Sequence, residues 1–308
     1  MRPNETKALH MLYKRILNKL CRHLAETTVQ RRSPADLERL SRGSLLFSYG
    51  NVYSQVGQDG IIHEILRRIA PHLPQRKAFV EFGAWDGVYL SNCRWLVEQG
   101  WHGVFIEGDA KKFVNLESNY RGLSERIKCV NTYVGAPNRG IGKKNVAAIV
   151  EECGADVRDI CFVVIDVDGL DLEIFQDLGL KPAVIMMEGG HSFSPRVTSP
   201  IAVPEAAQNI HQPLAYILKV AKQHGYTPVC FHQDLYLVRS DLSEAFSDCP
   251  QTAEQLYADT YYFLTPEQRT HIHQYRANSP IIRRHETAML GGFSPNPLTS
   301  PVPESRGG

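Results

Sequence analysis

The chain of 308 residues lacks any apolar run near the roughly 18 residues that cross a bilayer. Its N-terminus has no hydrophobic signal core followed by a small-residue cleavage site. A soluble, cytoplasmic protein without a transmembrane segment is expected. Net charge is almost absent too: 34 Lys and Arg stand against 33 Asp and Glu, a formal +1. The basic excess that announces a nucleic-acid binder is missing, so no nucleic-acid partner is expected. Cys-x-x-Cys pairs are lacking, and the seven cysteines are odd in number and scattered. That excludes a disulfide framework and reads as reduced thiols packed as small hydrophobes. No internal repeat occurs. With 43% hydrophobic and 22% charged residues, the composition is that of a globular protein able to bury a sizeable core.

The charge that is present lies unevenly. Residues 1–32 hold eight Lys and Arg against two Glu, whereas the remainder holds 26 basic against 31 acidic residues. Leu9, Leu12, Ile16, Leu17, Leu20 and Leu24 recur at helical spacing with Lys7, Lys14, Lys19 and Arg22 between them. This predicts a basic amphipathic helix that docks on the core or on a second copy in a homo-oligomer, with an anionic membrane surface as the alternative. Helix and polar connector form an extension over residues 1–53.

From Ser54 strand and helix signals alternate. Strands are predicted at 78–82, 103–107, 127–133, 161–167, 183–188, 229–232 and 235–238, with helices between them, among these 91–99 and 172–178. The pattern predicts an α/β fold with a doubly wound, mostly parallel seven-stranded sheet over residues 54–242. Residues 189–212, with Pro195, Pro200 and Pro204, read as a long functional loop. Short helices over 243–290 are expected to cap the sheet, and the Pro-, Gly- and Ser-rich residues 291–308 read as a disordered tail.

The segment AFVEFGAWDGVYLSN, residues 78–92, is an apolar strand, a glycine turn and the start of a helix. Such a turn brings backbone close to a ligand. The second strand ends in Glu107, at the spacing of a carboxylate that grips ribose hydroxyls. The glycines, Gly83 and Gly87, are four apart and preceded by Glu81, unlike the G-x-G-x-x-G of a dinucleotide site. A carboxylate about 4 Å from a phosphate is opposed by roughly 4 kcal/mol at an effective dielectric of 20. The same carboxylate favours a cation, and S-adenosyl-L-methionine (SAM) carries an ammonium and a sulfonium with no phosphate.

These residues carry a resemblance. SQVGQDGIIHEI (54–65), FVEFGAWDGVYLSNCRWLVEQGWHGVFIEGD (79–109), VVIDVDGLDLEIF (163–175) and the strand from Lys181 to Glu188 resemble the FkbM-like SAM-dependent methyltransferases over about residues 54–240. The resemblance implies a Rossmann-like class I methyltransferase fold with SAM across the carboxyl ends of strands one, two and four. It implies that Glu81, Gly83 and Gly87 meet the methionine end, Glu107 the ribose, and that Gln55 and Asn92 edge the pocket. Asp59 reads as a helix N-cap. EGGHSF (188–193), the basic N-terminal helix and the Pro-rich tail depart from the family pattern.

Strand four drives into Asp166, Asp168 and Asp171, and period two places Asp166 and Asp168 on one face. Strand five delivers Glu188 to the same rim, with His191 three residues on. Asp166 is expected to contact the SAM ammonium or the acceptor, with Asp168 or His191 taking the acceptor proton. The alternative use of Asp168, Glu188 and His191 is as ligands of Mg²⁺. Asp171 reads as a helix cap, and His211, His224 and His232 as structural. The predicted activity is methyl transfer to a hydroxyl of a small metabolite or sugar. The alternatives are a nitrogen acceptor, a SAM-consuming lyase or cyclase, and a non-catalytic binding protein on the same fold.

Overall fold

The computed structural model describes residues 32–167, 169–202 and 210–301. The expected N-terminal helix and Asp168 lie outside the described residues. Seven strands, β1 (Ala78–Phe82), β2 (His102–Glu107), β3 (Ile127–Asn131), β4 (Ile160–Ile165), β5 (Val184–Glu188), β6 (Tyr226–His232) and β7 (Asp234–Arg239), form one sheet in the order β3-β2-β1-β4-β5-β7-β6. The first five are parallel, and β7 runs antiparallel to both β5 and β6. The expected doubly wound, mostly parallel seven-stranded sheet is the one observed. Both its faces are covered, which is why β4 reads as an unbroken apolar run and β1 is interrupted only by Glu81.

On one face Phe79, Phe105, Val164 and Met186 pack with Ile61 and Ile65 of α1 (Gln58–Arg68), Trp95 of α2 (Arg94–Glu98) and Leu116 of α3 (Ala110–Tyr120). On the other, Val80, Val163 and Ile185 pack with Ile149 of α4 (Val146–Glu152), Phe175 of α5 (Asp171–Gln176), Ile217 of α6 (Leu214–Gln223) and Leu256 of α7 (Ala253–Phe263). Strand parity then decides where the acids go. Counting in twos from Phe79, Phe105, Val164, Met186 and Tyr236 reaches Glu81, Glu107, Asp166, Glu188 and Asp234. Five carboxylates therefore fall on the α1 side of the sheet at one end.

Two boundaries differ from expectation for physical reasons. The helix predicted at 91–99 begins only at Arg94, because the amides of Asn92 and Cys93 donate to the Glu81 carboxylate, at 2.9 and 3.1 Å. Strand β6 begins at Tyr226 despite Pro228, which an edge strand tolerates and which coincides with a register shift.

Residues 291–301, expected within the disordered tail, are folded. Arg276 of α8 (Pro266–Asn278) and Glu286 of α9 (Pro280–Leu290) form a fully buried bidentate pair at 2.9 Å. The remaining Arg276 donors reach the carbonyls of Ser192, Ser294 and Pro295, at 2.7, 2.9 and 3.0 Å. Glu286 also accepts from the Ser194 amide at 2.6 Å, and Ser194 Oγ donates to the Pro297 carbonyl. The loop after β5 is thus clasped between α8, α9 and the 294–300 segment, over a small core of Phe193, Val197, Ile201, Ile210, Ile282 and Leu290.

Breaking one side of a fully buried pair strands the other charge. Arg276→Met is expected to destabilise the protein by about 3–5 kcal/mol in denaturant unfolding; a loss below about 1 kcal/mol would show that the pair contributes nothing net.

Candidate functional site

A cavity of about 210 Å³ opens at the carboxyl ends of β1 and β4, where the sheet order departs in opposite directions from β1. Such a switch point is where open α/β sheets take ligands. Gln55, Glu81, Gly83, Asn92, Asp166 and Glu188 line it, all of them predicted from sequence. Gln58, Trp85, Tyr89, Gln233 and Asp234 line it as well and were not. Among the described residues the backbone has positive φ at three non-glycine positions, Trp85 (51°), Leu90 (59°) and Gln233 (56°). All three line this cavity. Strained backbone of this kind costs on the order of 1–3 kcal/mol per residue and gathers at functional sites.

Glu81 is the buried anchor of the wall. Its carboxylate accepts from Ser91 Oγ (2.7 Å) and the amides of Asn92 and Cys93. Burial outweighs these hydrogen bonds and pushes its carboxyl up to about 7. Gly83, at φ 70°, passes so close to β4 that an added Cβ would stand 2.8 Å from the Asp166 carbonyl oxygen. No larger residue keeps this approach between β1 and the Asp166 backbone.

Other predicted residues have different duties. Gly87 does not line the cavity: an added Cβ would strike Tyr120 and Leu116 of α3, and its carbonyl accepts from the Tyr120 hydroxyl. Its smallness serves helix packing. Glu107 accepts from the amides of Trp85 and Asp109, both at 2.8 Å, so it fixes the strained turn beside the cavity. A carboxylate has about four acceptor positions, which leaves room for hydroxyl donors there. Asp59 is no N-cap, that position being Gly57. One of its oxygens accepts from three successive amides, Val52, Tyr53 and Ser54, at 2.7–2.9 Å, pinning the loop that carries Gln55. Asp171 is the first residue of α5 rather than its cap, and its oxygens hold the amides of Val167 and Gly169 at 3.0 Å.

His211, read from sequence as structural, bridges two acids. Nδ1 is 3.5 Å from Asp171 and Nε2 3.4 Å from Glu188. Burial alone would lower its pKa, but the two carboxylates outweigh burial and raise it. The His191 ring lies 5.4 Å from that of His211, and burial with the neighbouring imidazole lowers its pKa to about 4. His191 is therefore neutral near pH 7 and a weak base, and it does not line the cavity. Asp234 pairs with Glu188 across the β5–β7 ladder and accepts from Gln58 Nε2 at 3.0 Å. No local signal in the sequence marks Asp234, because only the antiparallel register brings it to Glu188.

The alternative metal set of Asp168, Glu188 and His191 includes a residue outside the described ones. Among the described residues no three His, Cys, Asp or Glu side chains form a group that could hold a metal ion. Asp168 lies outside them. No helix among the described residues is long and apolar enough to cross a membrane.

No protein-family model matches the chain, and no curated protein matches it. Solved structures share the fold distantly. The METTL16 methyltransferase domain aligns at a TM-score of 0.37 and 18% identity, over 59% of this chain and 66% of that one. TrmK of M. capricolum, in complex with S-adenosyl-homocysteine, gives 0.39 and 13%, over 75% and 88%. A SAM-dependent methyltransferase from Aquifex aeolicus gives 0.34 and 9%, over 70% and 98%. Likenesses this shallow assign no chemistry to the chain.

Because the folded pKa of His211 is raised above 6.5, the stability it contributes is fully present below about pH 6.5 and is lost as pH rises through the folded value. The difference in thermal midpoint between the protein and His211→Gln is expected to be largest in mildly acidic buffer and to shrink toward alkaline pH. A gap that stays constant with pH would remove the charged bridge.

Proposed function

We propose that the protein is a SAM-dependent methyltransferase of the FkbM-like kind, acting on a hydroxyl of a small metabolite or sugar. The observation that carries the reading is the cavity lining: it holds Glu81, Asp166, Glu188 and Asp234, and no Lys or Arg among the described residues. A phosphate-bearing dinucleotide would be repelled from such walls, whereas a cationic donor is drawn in. The cavity is smaller than a typical 300 Å³ ligand pocket. It suits the methionyl end of SAM, with the adenosyl part lying outward over Glu107.

In this reading Asp166 receives the ammonium, while Glu81 lends its field from within the wall and fixes Asn92. Gln55 and Asn92 edge the amino-acid moiety, Gly83 keeps the backbone low enough for close approach, and Glu107 offers its remaining acceptor positions to the ribose. SAM supplies an electrophilic methyl group on sulfur. The chain contributes by holding the acceptor oxygen in line behind that methyl and by taking its proton. Asp168 and His191 are the two candidate bases; the His191 ring stands 5.4 Å from that of His211 and outside the cavity lining.

Three outcomes test this. Incubation with SAM and a metabolite extract is expected to yield S-adenosylhomocysteine; methylthioadenosine instead would mean cyclisation of SAM, and neither product would mean binding without turnover. Since the Glu81 carboxyl sits at about 7 without a ligand, a nearby cation lowers it. Calorimetric titration with SAM near neutral pH, repeated in buffers of different ionisation enthalpy, is expected to show net proton release; proton uptake would contradict the placement of the cation. Asp168→Asn should keep SAM affinity while reducing turnover about tenfold or more, and unchanged turnover would exclude Asp168 from the chemistry.

A further inference from the structure

An open groove of about 780 Å³ lies at the other end of the sheet from the acids. It is lined by Tyr226, Thr227 and Pro228, the first residues of β6, and by Ser240, the residue after β7. The acidic cavity takes Gln233 and Asp234, where β6 has ended and β7 begins. Six residue rises along β6, about 20 Å, separate the two ends.

Helix periodicity builds one wall. Leu214, Ile217, Val220 and Ala221 of α6 point into the core. Ala215, Leu218, Lys219 and Lys222 recur at i, i+3, i+4 and i+7, form the neighbouring stripe and line the groove. The start of α7 and the 195–198 stretch of the clasped loop complete it. Its buried lining includes Pro195, Tyr226 and Ala253, and its exposed lining includes Lys219 and Lys222. The groove is therefore apolar within and basic at the rim.

Charge identifies the occupant. Among the described residues Arg196, Lys219 and Lys222 form no ion pair, and the Arg196 guanidinium donates to the Ser300 carbonyl, which leaves its charge uncompensated. Glu254 is the one acid among the described lining residues, so two positive charges remain in excess. The last turn of a helix favours a cation, which accounts for Lys222. It does not account for Lys219, whose like charge one turn earlier on the same face weakens the helix. The first amides of α7, which have no partner within a helix, add donors beside the three cations. An added protein strand is not what fits here. Although β6 is an edge strand, Pro228 has no amide to donate and the ladder shifts register beside it.

We propose that this groove is a second ligand site, which takes a soluble phosphate monoester on an apolar body. The phosphate sits among Arg196, Lys219 and Lys222, and the apolar body lies over Leu218, Tyr226 and Pro228. A phosphate monoester carries about −1.5 to −2 charges at pH 7 and so matches the excess, where a carboxylate supplies one. Arginine and lysine are the side chains that bind phosphate through charge-assisted hydrogen bonds, and the volume is that of a small-molecule pocket. Binding here is reversible, makes no covalent bond and is independent of any donor in the acidic cavity.

The test follows the fluorescence anisotropy of 1-naphthyl phosphate with the full chain at low salt. Saturable binding is expected at a concentration about tenfold or more below that of 1-naphthalenemethanol, which has the same ring and no charge. The double variant Lys219→Gln with Lys222→Gln, both at exposed positions, should weaken binding of the ester about tenfold or more with an unchanged thermal midpoint. Excess S-adenosylhomocysteine should leave the affinity for the ester as it was. Equal binding of the neutral alcohol, undiminished binding by the double variant, or displacement by S-adenosylhomocysteine overturns the proposal. Competition by inorganic phosphate at the same concentration as the ester overturns it too, since the apolar half would then contribute nothing. Sedimentation of the protein with phosphatidic acid vesicles, without saturable binding of the soluble ester, would make the groove a membrane contact and overturn it as well.

Discussion

A carboxylate buried at the end of the first strand organises everything around the site. Glu81 accepts three hydrogen bonds from residues 91–93, and through them it sets the course of the glycine turn and delays the start of α2. An acid in that position is costly to bury, which is why its carboxyl is pushed up to about 7. The cost is offset only by a fold that supplies donors on one side and a ligand of opposite charge on the other. The structure has the first in place, and the proposed donor has the second.

Strand periodicity extends this from one acid to five. Because Glu81, Glu107, Asp166, Glu188 and Asp234 share a parity with the residues packed under α1, the sheet collects them at one end without any special loop geometry. Burial first, and then the charges of Asp166, Glu188 and Asp171, raise the Asp234 carboxyl. His211 moderates the cluster from behind Glu188 and Asp171 instead of lining the cavity.

Much of this was legible in the sequence. Unbroken apolar strands alternating with helices predict a parallel sheet covered on both faces, and the turn with its preceding acid marks the ligand end. The strand-end acids Glu81, Asp166 and Glu188 could be named because parity is a local property. Asp234 and His211 could not, since their importance arises from antiparallel register and from a loop returning across β5. Gly87 and Asp59 were assigned by motif position, whereas packing on Tyr120 and an amide nest decide their duties. The folded state of residues 291–301 escaped composition altogether, because the guanidinium that binds their carbonyls lies on a helix earlier in the chain.

That clasp has a consequence for the order in which the molecule matures. The sheet is complete at Arg239, yet the segment just after His191 finds its last partners only at Pro297 and Ser300. During synthesis a nascent polypeptide can therefore acquire its central scaffold while this flank stays unfastened. Competence arrives late, when a stretch about a hundred positions downstream reaches back, so that early release from the ribosome would yield a protein with its core built and its flank open.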